Sequence, residues 1–290
     1  MFDLRYHVAS LAAVFVALLI GILVGVGLTG TVDDAEKAEL RRQIEVKDDE
    51  LQTARESQAN SAREDEAVGK LVEHGYPLLM DERLAGKRVG LIFIGSTDQD
   101  LRTAVATALD DAGARNLTRV RALKVPINAG RVAGALRGTP ALARYAGDDN
   151  LQELGRALAG EFVQGGETPA WDALSTHLVV DQSGTAGSPL DGVVVARTAE
   201  PQRDETAAFL TGLYGGLADA GAPAVGVEMT DDRTSAVRIF DRADLSTVDN
   251  VDTPAGRLAL VLLLAGAERG NYGVKETATE VLPEESLESG

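Results

Sequence analysis

Between Val8 and Leu28 the chain carries no charge, and Ser10 is its only polar side chain. Such a run has few folds open to it. At about 1.5 Å per residue a helix of this length matches the hydrocarbon thickness of a bilayer. All its faces are apolar, which disfavours a helix half-buried in a soluble core. The stretch is longer than the apolar part of a secretory signal and ends in Gly27-Leu28-Thr29-Gly30 without an A-x-A pattern. It reads as a retained, single-pass signal-anchor over residues 1–30, with a cleaved signal as the alternative. Ala13, Ala17, Gly21 and Gly25 recur every four residues. Small residues on one stripe let two membrane helices approach closely, so this ridge is a candidate dimer face. Orientation is left open. Arg5 precedes the run and Lys37, Arg41, Arg42 and Lys47 follow it, but long domains translocate largely regardless of such charges.

Residues 31–75 are charged and rich in good helix formers. Leu40, Ile44, Leu51 and Ala54 fall on alternating three- and four-residue steps, the spacing of a coiled-coil seam. The same register places Lys47, Gln58, Ser61 and Asp65 on the seam, then Val68 and Val72. A weak parallel homodimer is the expectation, with a lone solvated helix as the alternative. Gly75-Tyr76-Pro77 is expected to end the stalk.

Residues 76–275 read as one α/β domain. Val89–Ile94 is a short continuous apolar run, as in strands covered on both faces. A helical pattern follows through Leu101, Val105 and Leu109 to Gly113. Val193–Val195 repeats the logic, with a helix from about Asp204 to Ala220. Ala224–Glu228 and Thr118–Val125 are further strands, and Leu178–Val180 is ambiguous. Thr253-Pro254 opens a last helix through Leu258–Leu264, too short to span a bilayer. Strands alternating with helices predict a mainly parallel, Rossmann-like sheet. Residues 276–290, Glu-rich and carrying Pro283, are expected to form a disordered acidic tail.

The formal net charge of -17 repels nucleic acid and keeps a chain soluble. The absence of cysteine excludes disulfides, thiolate metal sites, a Cys nucleophile and a lipidated Cys anchor. No Gly-x-Gly-x-x-Gly or P-loop follows the first strand, and three scattered His give no Ser-His-Asp arrangement. The chain reads as non-enzymatic and without a nucleotide cofactor. The strand ends lead into Asp98, Asp100, Glu228, Asp231, Asp232, Asp249 and Asp252. In a parallel sheet these carboxylates share one edge, which could attract a hard cation or a basic partner. The competing reading is that each acid caps a helix, with Thr97 and Asp100 as one capping pair. Soft-metal ligands are scarce. His74, Met80, His177 and Met229 are weak candidates, and only His74 and Met80 lie near each other in sequence.

Several segments are specific to one family. Met1-Phe2-Asp3-Leu4-Arg5-Tyr6-His7 runs straight into the apolar helix. Asp191-Gly192-Val193-Val194-Val195, Gly215-Gly216-Leu217-Ala218-Asp219-Ala220-Gly221, Ser246 to Thr253, and Gly270-Asn271-Tyr272-Gly273-Val274 follow along nearly the whole length. Together they resemble the actinobacterial copper transporter family named after mycobacterial copper transport protein B. Asn271 stands where that family's pattern has His. The resemblance implies a cell-envelope protein with an extracytoplasmic C-terminal domain, tied to copper efflux or homeostasis and described as an outer-membrane channel. Copper enters by this resemblance alone. It also implies links to envelope assembly and septation with a partner membrane protein. The residues themselves show one apolar helix, which cannot form a pore alone, and no repeated ten-residue alternation of a membrane barrel. They therefore also support a non-enzymatic dimeric scaffold.

Overall fold

The computed structural model describes residues 4–284, without the side chains of 4–10, 26–35, 115, 116 and 148. The chain divides into two compact units, Met1–Lys70 and Leu71–Gly290.

Helix α1 (Leu4–Met80) supplies all the regular structure described in the first unit. Pairs one turn apart, Lys47 with Glu50 at 2.5 Å and Lys70 with Glu66 at 2.7 Å, support it locally. Leu40, Ile44 and Leu51 are 57, 54 and 53% exposed, and Ala54 is exposed beside them. Ala13, Ala17 and Gly21 are exposed as well. Among the described residues no helix is long and apolar enough to cross a membrane. The expected span overruns them: side chains 8–10 and 26–28 fall outside the description.

Pro77 does not end the helix, contrary to the sequence expectation. It lies inside α1, which closes at Met80, and Asp81 N donates to Pro77 O at 3.0 Å. A helical proline costs about 3 kcal/mol. Here Met80 and Leu84 are fully buried, each contributing roughly 1.5–3 kcal/mol, and so offset it.

The second unit alternates strands and helices: β1 (Arg88–Ile94), α2 (Gln99–Asp111), β2 (Arg115–Leu123), α3 (Ala129–Arg137), α4 (Leu151–Gln164), α5 (Pro169–Leu178), β3 (Val179–Gly184), β4 (Gly192–Arg197), α6 (Asp204–Ala218), β5 (Ala224–Val227), α7 (Val237–Asp241), β6 (Ser246–Val248), α8 (Pro254–Ala265) and β7 (Asn271–Tyr272). The described strands form one seven-stranded sheet in the order β3-β2-β1-β4-β5-β6-β7. Every pairing is parallel except β2 with β3. The chain thus steps outward from β1 on one side and from β4 on the other, so the order reverses between them.

Alternation along the strands divides the core in two. Val89, Leu91 and Phe93 face a cluster with Met80, α2 and α8, and Ile92 and Ile94 face one built from α3 to α7. Val194 and Ala196 of β4 join the first, and Val193 and Val195 the second. On the second face α4 and α6 meet backbone to backbone. A Cβ on Gly212 would lie 1.9 Å from Gln152 O, and one on Gly155 2.2 Å from Phe209 O. Arg119, 1% exposed on β2, donates to the carbonyls of Phe162, Thr185 and Ser188, tying the end of α4 to the β3–β4 connection.

The tail also departs from expectation. Residues 276–284 are placed, not disordered: Tyr272 bridges to Glu280, Thr279 Oγ1 donates to Asn271 O at 2.9 Å, and Leu282 packs on the first cluster. Residues 285–290 lie outside the described residues.

Candidate functional site at the carboxyl edge of the sheet

The strand-end acids belong to two groups. Asp98 is the N-cap of α2, its Oδ1 accepting from Leu101 N at 3.0 Å, and Asp100 sits in the first turn. Negative charge is favoured at both places. The expected Thr97–Asp100 pair does not form. Thr97 Oγ1 instead donates to Asp181 Oδ2 on β3, because Asp98, one residue later, has the extended backbone a cap requires.

The second group lies where β5, β6 and β7 end side by side. Glu228 follows β5 and is 4% exposed. Its Oε1 accepts from Ser235 Oγ at 3.0 Å, Val237 N at 3.1 Å and Ala236 N. Its Oε2 accepts from Lys275 Nζ at 3.1 Å, and that ammonium also donates to Met229 O at 2.7 Å. Asp249 follows β6 and is 1% exposed. It accepts from Val274 N at 2.8 Å and Lys275 N at 3.0 Å. Gly273 lies against this carboxylate at φ +141°, and any Cβ there would meet Asp249 Oδ1 at 1.9 Å. Asp252 Oδ1 accepts from Thr230 N and Oγ1, and Asp232 Oδ2 from Met229 N. Burial pushes the Asp232 carboxyl up, opposed by the Met229 N–H and by Lys275. Asp231 is exposed.

Glu228, Asp232, Asp249 and Asp252 therefore each spend at least one oxygen on a loop N–H group or on Lys275. Among the described residues no group of three or more His, Asp or Glu side chains could hold a metal ion. The soft donors are dispersed as well. His74 is exposed on α1, and Met80 is fully buried in the first core cluster. Met229 packs beside that cluster, whereas His177 ends α5 on the other face of the sheet. This donor set does not fit a bound copper ion. Asn271 joins β6 to α7, accepting from Thr247 Oγ1 at 2.8 Å and donating to Asp241 Oδ1 at 2.9 Å.

Sequence reasoning missed Lys275, whose ammonium partners an acid 47 positions away. The available signal was its place directly after the Gly270–Val274 segment.

That segment and the others quoted above carry the relationship to known proteins. The family described as "Copper transport outer membrane protein, MctB" matches residues 1–283. The chain belongs to the MctB family. Among curated relatives, the Copper transporter MctB of Mycobacterium tuberculosis (strain H37Rv) is 27% identical over 343 aligned positions, covering 97% of this chain and 99% of the relative. The Copper transporter MctB of Mycobacterium leprae is 28% identical over 347 positions with the same coverage. Asp249 and Gly273, which touch at the sheet edge, both lie in segments that resemble the family.

Proposed function

We propose that this chain is a membrane-anchored cell-envelope component of copper homeostasis that works as a homodimer rather than as a copper carrier. Membership of the MctB family carries the copper assignment. The donor set argues against the α/β domain holding the ion: the buried Glu228 and Asp249 carboxylates are spent on internal hydrogen bonds, and Met229 and His177 lie on opposite faces of the sheet. Copper is then cargo of the process the protein serves.

The anchor rests on Val8–Leu28, and the dimer on the exposed seam and the small-residue ridge. Burying the exposed half of Leu40, Ile44 and Leu51 in both copies contributes roughly 6 kcal/mol at about 1 kcal/mol per side chain. Association costs about 4–15 kcal/mol. The seam is therefore marginal by itself, and confinement of both copies to one membrane, with the ridge in contact, tips the balance. In this reading the α/β domain is extracytoplasmic and meets a partner membrane protein.

Dispersed copper donors also favour a second reading, a scaffold for envelope assembly or septation. Gene deletion separates the two. Under the first reading, cell copper measured by mass spectrometry rises in copper-supplemented medium, and the wild-type gene restores it. Unchanged copper with disturbed division or envelope integrity refutes the first reading in favour of the second.

A further inference from the structure

A cleft away from the acidic edge is lined in part by Arg197, the last residue of β4. It lies on the second face of the sheet, among α4, α6 and α7, with a volume of about 510 Å³. That is the size of a small-molecule pocket. Its walls combine Ala207, Leu210, Ala218, Ile239 and Ala243 with Arg156, Arg197 and Arg242. Asp219 and Asp244 complete the charged lining. Three arginines against two aspartates leave one net positive charge in a chain of net -17.

Two donors in this lining are unused. Tyr214 is 2% exposed, its ring edge-on to Phe240 at 5.3 Å, and its hydroxyl has no hydrogen-bond partner. Arg197 donates through Nη1 to Ala199 O and through Nη2 to Thr234 O, while its buried Nε has no partner. A buried donor without a partner costs about 1–3 kcal/mol, so each of the two groups gains from a ligand oxygen that reaches it. Burial holds the Tyr214 phenol well above its ordinary range, with the nearby Arg197 charge opposing. The hydroxyl is therefore a neutral donor at physiological pH. Arg156 and Arg242 are exposed and make no ion pair among the described residues.

We propose that this cleft binds an organic monocarboxylate, its carboxylate accepting from Tyr214 Oη and Arg197 Nε and its apolar body lying along Leu210 and Ile239. One net positive charge suits a monoanion, and the aliphatic wall suits a hydrocarbon tail. Gln152 and Arg156, both exposed, line the cleft as well.

The test is isothermal titration of the full chain in a non-ionic detergent, with hexanoate and with inorganic phosphate as probes. Hexanoate should bind with a Kd below about 1 mM and phosphate at least tenfold more weakly. Y214F should weaken hexanoate binding at least tenfold. R156Q/R242Q should do likewise, and since both residues are exposed, that variant remains informative if Y214F fails to fold. Absence of hexanoate binding, binding unchanged in both variants, or phosphate binding as tightly as hexanoate would each overturn the proposal.

Discussion

Replacing Glu228 with alanine tests whether the strand-end acids hold the fold together or stand ready for a ligand. The wild-type carboxylate satisfies the N–H groups of Ala236 and Val237, the Ser235 hydroxyl and the Lys275 ammonium. Its side chain is 5% exposed and that of Lys275 19%. Removing one member of a buried ion pair costs about 3–5 kcal/mol. Lys275 keeps Met229 O and some solvent, which points to the lower end, about 3 kcal/mol. E228Q keeps an acceptor for the backbone donors and loses only the charge, so about 1–2 kcal/mol is expected. Exposed D231A should stay within about 0.5 kcal/mol. Trp171, the single tryptophan, is buried on α5, and its fluorescence reports urea unfolding of the full chain. A loss below about 1 kcal/mol for E228A, or equal losses for E228A and D231A, would refute the reasoning and free the acidic edge for a ligand.

Three further outcomes follow from the same geometry. In membranes, G21L combined with L40K and I44K should abolish chemical crosslinking of two copies, and unchanged crosslinking would remove the homodimer. The Arg88 guanidinium, which bonds Asp191 at 3.0 Å, is the main cause holding that carboxyl below its usual range. A depressed folded-state value gives stability that is present above the unfolded pKa, about 3.9, and lost as pH falls through the folded value. D191N should therefore flatten the acid limb of a stability profile, and an unaltered limb would contradict the assignment. G212A should destabilise the α4–α6 contact by about 1–3 kcal/mol, because the methyl would meet Gln152 O. G221A, whose methyl meets open space, controls for overpacking in the same urea titration, with any loss there coming from its φ of +80°.

The buried strands were readable because both their faces are covered. Val89–Ile94 and Val193–Val195 stand out as apolar runs for that reason. β6 and β7, with three and two residues, are too short to show any period. β3 is an antiparallel edge strand with mostly exposed side chains, so Leu178–Val180 stayed ambiguous. The helix α4 has apolar Leu151, Leu154, Leu158 and Phe162 on one face, but Gly155 and Gly160 lower its intrinsic propensity. Gly155 is there because Phe209 O leaves no room for a side chain. Pro77 misled because a local breaker was weighed without the burial of Met80 and Leu84. Asp98 and Asp100 open α2, whereas Glu228, Asp232, Asp249 and Asp252 follow β5 and β6. Their partners come from loops brought in by the fold, as when Lys275 reaches back to Glu228, and sequence spacing does not encode that pairing.

The account's central claim is that the chain serves copper homeostasis without itself holding the ion. A copper(I) competition titration of the full chain in detergent, against a chelator of known affinity, tests it most directly. The chain is expected to leave the chelator loaded, with no site tighter than about micromolar, roughly 8 kcal/mol. Stoichiometric withdrawal of copper from the chelator, lost on substituting His74, His177 or Met229, would contradict it and make the α/β domain a copper carrier.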